Sequence, residues 1–223
     1  MKNDHRYYLQ RSTRYFEKYA KLNLEYSYSH ALSALEYGYH IESPDLQSDA
    51  LRLGIEVTRA ISNEEGLAHR FIERYFARNR EESFENGDTF PYIRFNADVT
   101  MSEDIAFITA VEGVLDFKVH LQNLQKAVAT KTEKLNRIYK KFDSNGLFIF
   151  TFNRALGEEE ILYSIHAAEE SLMEMGQGAP YLYDTFFINC VDRLYVVEGE
   201  NIKSIPLKKE LLLFLKNEAL RPE

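Results

Sequence analysis

The order of apolar and polar residues divides the first part of the chain into a helix and two strands. Residues 10–37 contain neither Pro nor Gly and repeat apolar side chains at helical spacing, which predicts one long or once-broken helix that ends at Gly38. Short apolar runs at residues 39–41 and 51–60 predict two strands, with a bend at Asp45 between them. These strands are close enough in the chain to form an antiparallel hairpin.

Farther along, longer periodic segments alternate with short apolar runs. The predicted helices cover residues 63–79, 117–141, 157–175 and 207–217, and the predicted strands cover residues 92–95, 147–152 and 184–198, the last as two strands around a tight turn. Residues 80–116 either belong to the core or form an insertion. This order of elements predicts an α/β fold in one domain spanning residues 1–223, with a mixed central sheet flanked by helices.

The composition is that of a folded chain without a membrane segment. Of 223 residues, 45% are hydrophobic and 28% are charged, a balance that favours a packed core over disorder. No stretch approaches the roughly 20 apolar residues that a membrane span needs, and no secretion signal is evident at the start. Cys190 stands alone, which excludes internal disulfides and predicts a buried, inert thiol. We therefore expect a cytoplasmic protein with no membrane partner.

Charge is unevenly distributed along this acidic chain. The formal net charge is −8, which speaks against a general nucleic-acid coat protein. Residues 126–141, however, hold six Lys and Arg against Glu133 alone, and residues 2–21 hold six against two acidic residues. Such segments form either a localised footprint for a polyanion or two solvated helix faces.

Two carboxylates are the strongest candidates for chemistry. Asp45 and Glu56 lie 11 residues apart, a spacing that lets the predicted hairpin bring both to one place. In that hairpin, Ile55 and Val57 should face a helix, whereas Glu56 and Thr58 should lie on the opposite, open face. Mg²⁺ is typically held by one or two carboxylates together with waters and substrate phosphate oxygens, which fits this pair.

Pro44-Asp45, followed by Glu56-Val57-Thr58 and then by a predicted helix after Ser62, resembles the PD-(D/E)xK nuclease superfamily. The resemblance implies a restriction-endonuclease-like core and a nuclease that hydrolyses DNA with Mg²⁺ or Mn²⁺. It also implies that Asp45 and Glu56 bind the metal ion and that the carbonyl of Val57 assists. Such nucleases serve in bacterial restriction or phage defence, so DNA is the expected partner, with a homodimer or a partner protein from the same operon as further alternatives.

Thr58 departs from the family pattern, because a Lys that positions the attacking water is expected there. Thr carries no charge, so either a Lys comes from elsewhere or the site is inactive. Lys131 is the first candidate, because it falls on the inward stripe of the helix predicted at residues 117–141, and an inward ammonium needs a partner. The stripe comprises Leu121, Leu124, Val128, Leu135, Ile138 and Phe142.

If this is right, the Lys131 ammonium lies within about 4–6 Å of Asp45 or Glu56. The alternative is that it extends along the helix to solvent. Lys134, near the edge of the stripe, is the second candidate for the catalytic cation.

Three functions compete at this point. A Mg²⁺-dependent DNA nuclease is favoured by Asp45, Glu56 and the basic segments together. A non-catalytic module, which keeps the nuclease fold but binds a partner protein or nucleic acid, is favoured by Thr58 and by the net charge of −8. A hydrolase of small phosphorylated molecules is the third, and it requires a closed pocket.

Overall fold

The computed structural model describes residues 15–38, 43–61, 95–101, 106–113, 117–151, 156–174 and 181–221. The strand predicted at residues 39–41, the helix predicted at residues 63–79 and most of the first basic segment lie outside the described residues.

The described residues form four α-helices and nine β-strands. The helices are α1 (residues 15–23), α2 (Phe117–Arg137), α3 (Glu158–Glu174) and α4 (Lys209–Leu220). The strands are β1 (Glu36–Tyr37), β2 (Leu46–Ser48), β3 (Leu53–Arg59), β4 (Phe95–Met101), β5 (Ala106–Gly113), β6 (Ser144–Thr151), β7 (Thr185–Cys190), β8 (Arg193–Glu198) and β9 (Asn201–Pro206).

Seven of these strands form a mixed sheet in the order β1-β2-β3-β6-β7-β8-β9. The β3–β6 and β6–β7 pairs are parallel, whereas the other four neighbouring pairs are antiparallel. The parallel pairs require crossover connections, and α2 precedes β6 while α3 joins β6 to β7. Strands β4 and β5 pair with each other in a separate two-stranded sheet. The predicted α/β fold with a mixed sheet flanked by helices is confirmed.

Both faces of the sheet are covered, which explains why β6 is buried along nearly its whole length. Phe148 and Phe150 belong to the core formed with α1 and α4, whereas Leu147 and Ile149 belong to the core formed with α2 and α3. Alternate side chains of a strand point to opposite faces, so a strand with helices on both faces buries all of them. Glu56 of β3 therefore lies in a strand that is covered on both sides.

Of the two alternatives predicted for residues 10–37, the once-broken helix agrees with residues 15–34, but the helical segment ends at Ala34 rather than at Gly38. Helix α1 continues into a π-helical turn at Leu24–Tyr28, and a 3₁₀ helix at His30–Ala34 follows. Between them Ser29 is extended, with φ −154° and ψ 124°. Residues 36 and 37 pair with residues 47 and 46 at the sheet edge, so ladder hydrogen bonds there replace the helical bonds that local propensity favours.

Other boundaries moved by a few residues, and three strands, β2, β5 and β9, were missed. The helix predicted at residues 117–141 ends at Arg137, and the strand predicted at residues 51–60 covers only Leu53–Arg59. The polar edge strand β9 had no predicted counterpart, because its half-exposed side chains give no apolar run. The helix predicted from residue 157 and the paired strands at residues 184–198 are confirmed.

Two glycines let the Pro44-Asp45 bend pack tightly against its neighbours. A Cβ on Gly54 would lie 2.8 Å from Pro44 Cγ and 2.7 Å from Phe142 Cδ2, and a Cβ on Gly38 would lie 2.1 Å from the Pro44 carbonyl oxygen. The Gly38 N–H also donates to the Asp45 carbonyl at 2.8 Å. Close approach at these glycines therefore sets the position of the Asp45 backbone.

Gly54→Ala should lower the free energy of unfolding by about 1–3 kcal/mol, because the added methyl overpacks the contact among β3, Pro44 and Phe142. Gly157→Ala is the matched control, since its Cβ would meet only the end of the flexible Glu160 side chain, 2.6 Å away. Urea unfolding of both variants measures the difference. Equal stabilities for the two variants would show that the close packing at Gly54 does not hold the bend.

Candidate metal centre

The register of the β2–β3 hairpin brings Asp45 to Glu56. Leu46 pairs with Ile55, so Asp45, the residue before β2, lies beside the next residues of β3. The Val57 N–H donates to Asp45 Oδ2 at 2.8 Å, which fixes the carboxylate at the sheet. The hairpin partner of β3 is thus Leu46–Ser48, where no strand was predicted, and the predicted partner strand at residues 39–41 lies outside the described residues. The observed hairpin brings the two candidate carboxylates together.

Glu56 is buried, with 4% of its surface exposed, and one of its oxygens takes two hydrogen bonds. Lys131 Nζ lies 2.5 Å from Glu56 Oε1, and the Tyr139 hydroxyl donates to the same oxygen at 2.8 Å. Lys131 lies in α2, and Tyr139 lies in the turn that follows its C-terminus. The carboxylate is therefore buried together with a positive charge and a neutral donor, as a buried charge requires.

Lys131 extends from the sheet-facing side of α2, between the buried residues Val128 and Leu135. Its side chain is only 17% exposed and ends in the ion pair with Glu56. The expected proximity of Lys131 to the carboxylates is confirmed, and the contact is closer than the predicted 4–6 Å. The alternative, in which the ammonium reaches along the helix to solvent, does not describe this side chain.

The prediction that Glu56 lies on an open face is wrong. Ile55 and Val57 do pack in the core formed with α1, as expected. The opposite face of β3, however, is covered by α2 rather than exposed, because β3 is an interior strand with helices on both sides. The site is therefore a partly enclosed polar region under α2.

Tyr139 was not predicted as a site residue, although its spacing carried a signal. Lys131, Leu135 and Tyr139 are four residues apart, so one inward stripe connects them. We placed Ile138 on this stripe instead, and the structure exposes half of that side chain, 50%. The N–H groups of Ile138 and Tyr139 both bond to the Lys134 carbonyl, at 2.8 and 3.1 Å, and this wide final turn directs Tyr139 inward.

Burial, followed by the negative charge of Glu56, raises the pKa of Asp45 to about 6 from the ordinary value of 3.8. The Val57 N–H and the ammonium groups of Lys131 and Lys134 act in the opposite direction. Burial, then the negative charge of Glu56, raises the pKa of Tyr139 above its ordinary range. The phenol thus remains a hydrogen-bond donor at the pH values at which both carboxylates are ionised.

The donor atoms of this site suit a hard divalent cation. With Asp45 Oδ2 and Glu56 Oε1 engaged, the second oxygen of each carboxylate has no hydrogen-bond partner among the described residues. The Val57 carbonyl points to the same side of β3 as its N–H, which is the side of Asp45. Two carboxylates and one ammonium also leave a net negative charge. No group of three His, Cys, Asp or Glu side chains suited to a metal exists in the described part of the chain, so a bound Mg²⁺ would keep several waters.

The other residues singled out in the sequence lie elsewhere or at the margin of this site. Lys134 is exposed, and it influences Asp45 through its charge without an ion pair to either carboxylate in the described structure. Thr58 is half-buried on β3. Cys190 is buried, as predicted, and burial raises the pKa of its thiol to about 12.

Comparison of the chain with protein-family models, with curated proteins and with solved structures finds no match in any of the three. Among the described helices, none is long and apolar enough to cross a membrane. None of the comparisons identifies the PD-(D/E)xK superfamily.

Asp45→Asn should stabilise the protein at neutral pH, because it removes a buried carboxylate while keeping an oxygen for the Val57 N–H. The native carboxyl, with a pKa of about 6, binds more protons than the unfolded one, with 3.8. Asp45 thus costs stability above pH 6, and this cost disappears as the pH falls to about 4. The expected gain is on the order of 2 kcal/mol at neutral pH.

Urea unfolding in EDTA across this pH range measures the gain. Asp49→Asn, which changes an exposed carboxylate of the same hairpin, is the control and should show no such pH-dependent gain. A difference in stability between Asp45→Asn and the wild-type protein that does not change with pH would contradict the raised pKa of Asp45.

Proposed function

We propose that this chain is a Mg²⁺-dependent nuclease that hydrolyses phosphodiester bonds of DNA, built on a restriction-endonuclease-like core. The observation that carries the proposal is the contact between Lys131 Nζ and Glu56 Oε1. The strand position at which the family has its Lys is occupied by Thr58, and Lys131 from helix α2 contacts Glu56 instead. The proximity of Lys131 to Glu56 supports the proposal although the linear motif is incomplete.

Asp45, Glu56 and the Val57 carbonyl are the proposed ligands. A Mg²⁺ or Mn²⁺ ion held there would lower the pKa of a bound water and would stabilise the charge that develops on the phosphodiester. The Asp45 carboxyl must be ionised to serve as a ligand, and its pKa of about 6 makes it so above that pH. Protons therefore compete with the metal ion for Asp45, and Mn²⁺ binding to the metal-free protein should strengthen as the pH rises towards about 6.

Lys131 has two roles in this proposal. Its ammonium compensates the negative charge of Glu56, which a carboxylate in a buried place requires. It also offers two further N–H donors, which can orient a water beside Glu56 for attack on the phosphorus. Thr58 could do neither, since it is uncharged and has a single hydroxyl.

Exposed basic residues on and after α2 supply the proposed contacts to the DNA backbone. Lys126, Lys134 and Lys141 are exposed and have no ion-pair partner among the described residues. Lys134 acts electrostatically on Asp45, so it lies at the edge of the site where a phosphate would enter. Lys131 contributes nothing to this surface, because its charge is buried. The footprint is local, consistent with the net charge of −8.

A non-catalytic module remains the second candidate, and the same ion pair favours it in one respect. Lys131 already compensates the charge of Glu56, so the pair would be satisfied without any metal ion. The two candidates differ in metal binding. A nuclease site binds Mn²⁺ through Asp45 and Glu56, whereas a structural ion pair shows no binding in a calorimetric titration.

Cleavage of plasmid DNA in Mg²⁺ should fall to background in Asp45→Asn and in Glu56→Gln, because each loses a proposed ligand. Lys131→Met should lower the cleavage rate by about 100-fold or more while Mn²⁺ still binds, because it removes the proposed water-orienting group. Lys134→Met, on the same helix, is the matched control. It should weaken DNA binding and its salt dependence more than it slows cleavage of bound DNA.

Removal of one partner of a buried ion pair can destabilise the fold by about 3–5 kcal/mol. The double variant Lys131→Met/Glu56→Gln separates this effect, because it removes both charges and should recover stability without recovering cleavage. Full cleavage by either Asp45→Asn or Glu56→Gln would exclude this site as the nuclease centre.

A further inference from the structure

We propose that Tyr139 is the positioning residue of this site and that its hydroxyl holds the Glu56 carboxylate in the orientation that binds the metal ion. The inference rests on the proposed function, because it assigns a fixed support to a ligand of the proposed metal. Neither the family motif nor the candidate site residues from the sequence include Tyr139.

The geometry separates the two oxygens of Glu56. The Tyr139 hydroxyl and Lys131 Nζ both donate to Oε1, at 2.8 and 2.5 Å. Two donors on one oxygen fix the rotation of the carboxylate about its last bond, and they direct Oε2 away from themselves. Oε2 is then the oxygen that a cation beside Asp45 can use.

Tyr139 is better suited than Lys131 to hold Glu56 throughout a reaction. An ammonium on a flexible four-carbon stem can turn from the carboxylate to a water or a phosphate. The Tyr139 ring is half-buried, and its backbone N–H is bound to the Lys134 carbonyl at 3.1 Å. A phenol placed in this way has fewer alternative orientations than the Lys131 ammonium, and it therefore fixes Glu56 more firmly.

Tyr183 offers a matched comparison within the same region. Its hydroxyl donates to the backbone carbonyl of Lys131 at 3.2 Å, and it makes no hydrogen bond to Glu56. Tyr183→Phe and Tyr139→Phe thus each delete one hydroxyl near the site and keep the ring. Only the second deletion removes a donor to the proposed ligand.

Calorimetric titration with Mn²⁺ on the wild-type protein and the two variants tests the inference. Loss of a hydrogen bond that orients a metal ligand typically weakens metal binding by about 10–100-fold. We expect at least about a tenfold increase in the Mn²⁺ dissociation constant for Tyr139→Phe and little change for Tyr183→Phe. In cleavage assays, raising the Mn²⁺ concentration should recover most of the activity lost in Tyr139→Phe, whereas Lys131→Met should stay slow.

Wild-type affinity in Tyr139→Phe would overturn the inference, and so would an equal loss in both Tyr variants, which would indicate general loosening. A wild-type protein that binds Mn²⁺ but does not cleave DNA would refute the nuclease alone, because the comparison of the two variants still decides the role of Tyr139. A wild-type protein that binds no Mn²⁺ would overturn both.

Discussion

The ion pair between Lys131 and Glu56 is the interaction on which the rest of this structure depends. Glu56 lies in an interior strand with helices on both faces, where an unpaired carboxylate would be costly to bury. Lys131 supplies the charge from α2 and Tyr139 supplies a neutral donor from the turn after it. The same contact thus joins α2 to β3 and compensates the charge of Glu56.

The second carboxylate makes the same region unfavourable for stability and suitable for a cation. Asp45 is held beside Glu56 by the Val57 N–H and by the close packing of Pro44 on Gly54. One ammonium does not balance two carboxylates, and the raised pKa of Asp45 reflects first its burial and then the remaining repulsion from Glu56. A cation that neutralised this charge would stabilise the fold by mass action. Such a cost in the free protein is common at functional sites.

Much of the fold, and one central contact of the site, could be predicted from the sequence, because both follow from periodicity. A Lys on an apolar helical stripe needs a buried partner, and that requirement led from Lys131 to the carboxylates. Tyr139 was missed because the spacing allowed either Ile138 or Tyr139 on the inward stripe, and the wide turn at Lys134, which decides between them, is a feature of the backbone. The burial of Glu56 was missed because it depends on α2 covering β3, a tertiary contact.

The central claim is that Asp45 and Glu56 share a divalent cation while Lys131 remains on Glu56. A crystal of the protein soaked in Mn²⁺, examined by anomalous diffraction, tests it most directly. The account predicts a peak between the two carboxylates, about 2.1 Å from an oxygen of each, with the Val57 carbonyl facing it. A site without a peak, with Lys131 still paired to Glu56, would contradict the account and would favour a non-catalytic fold.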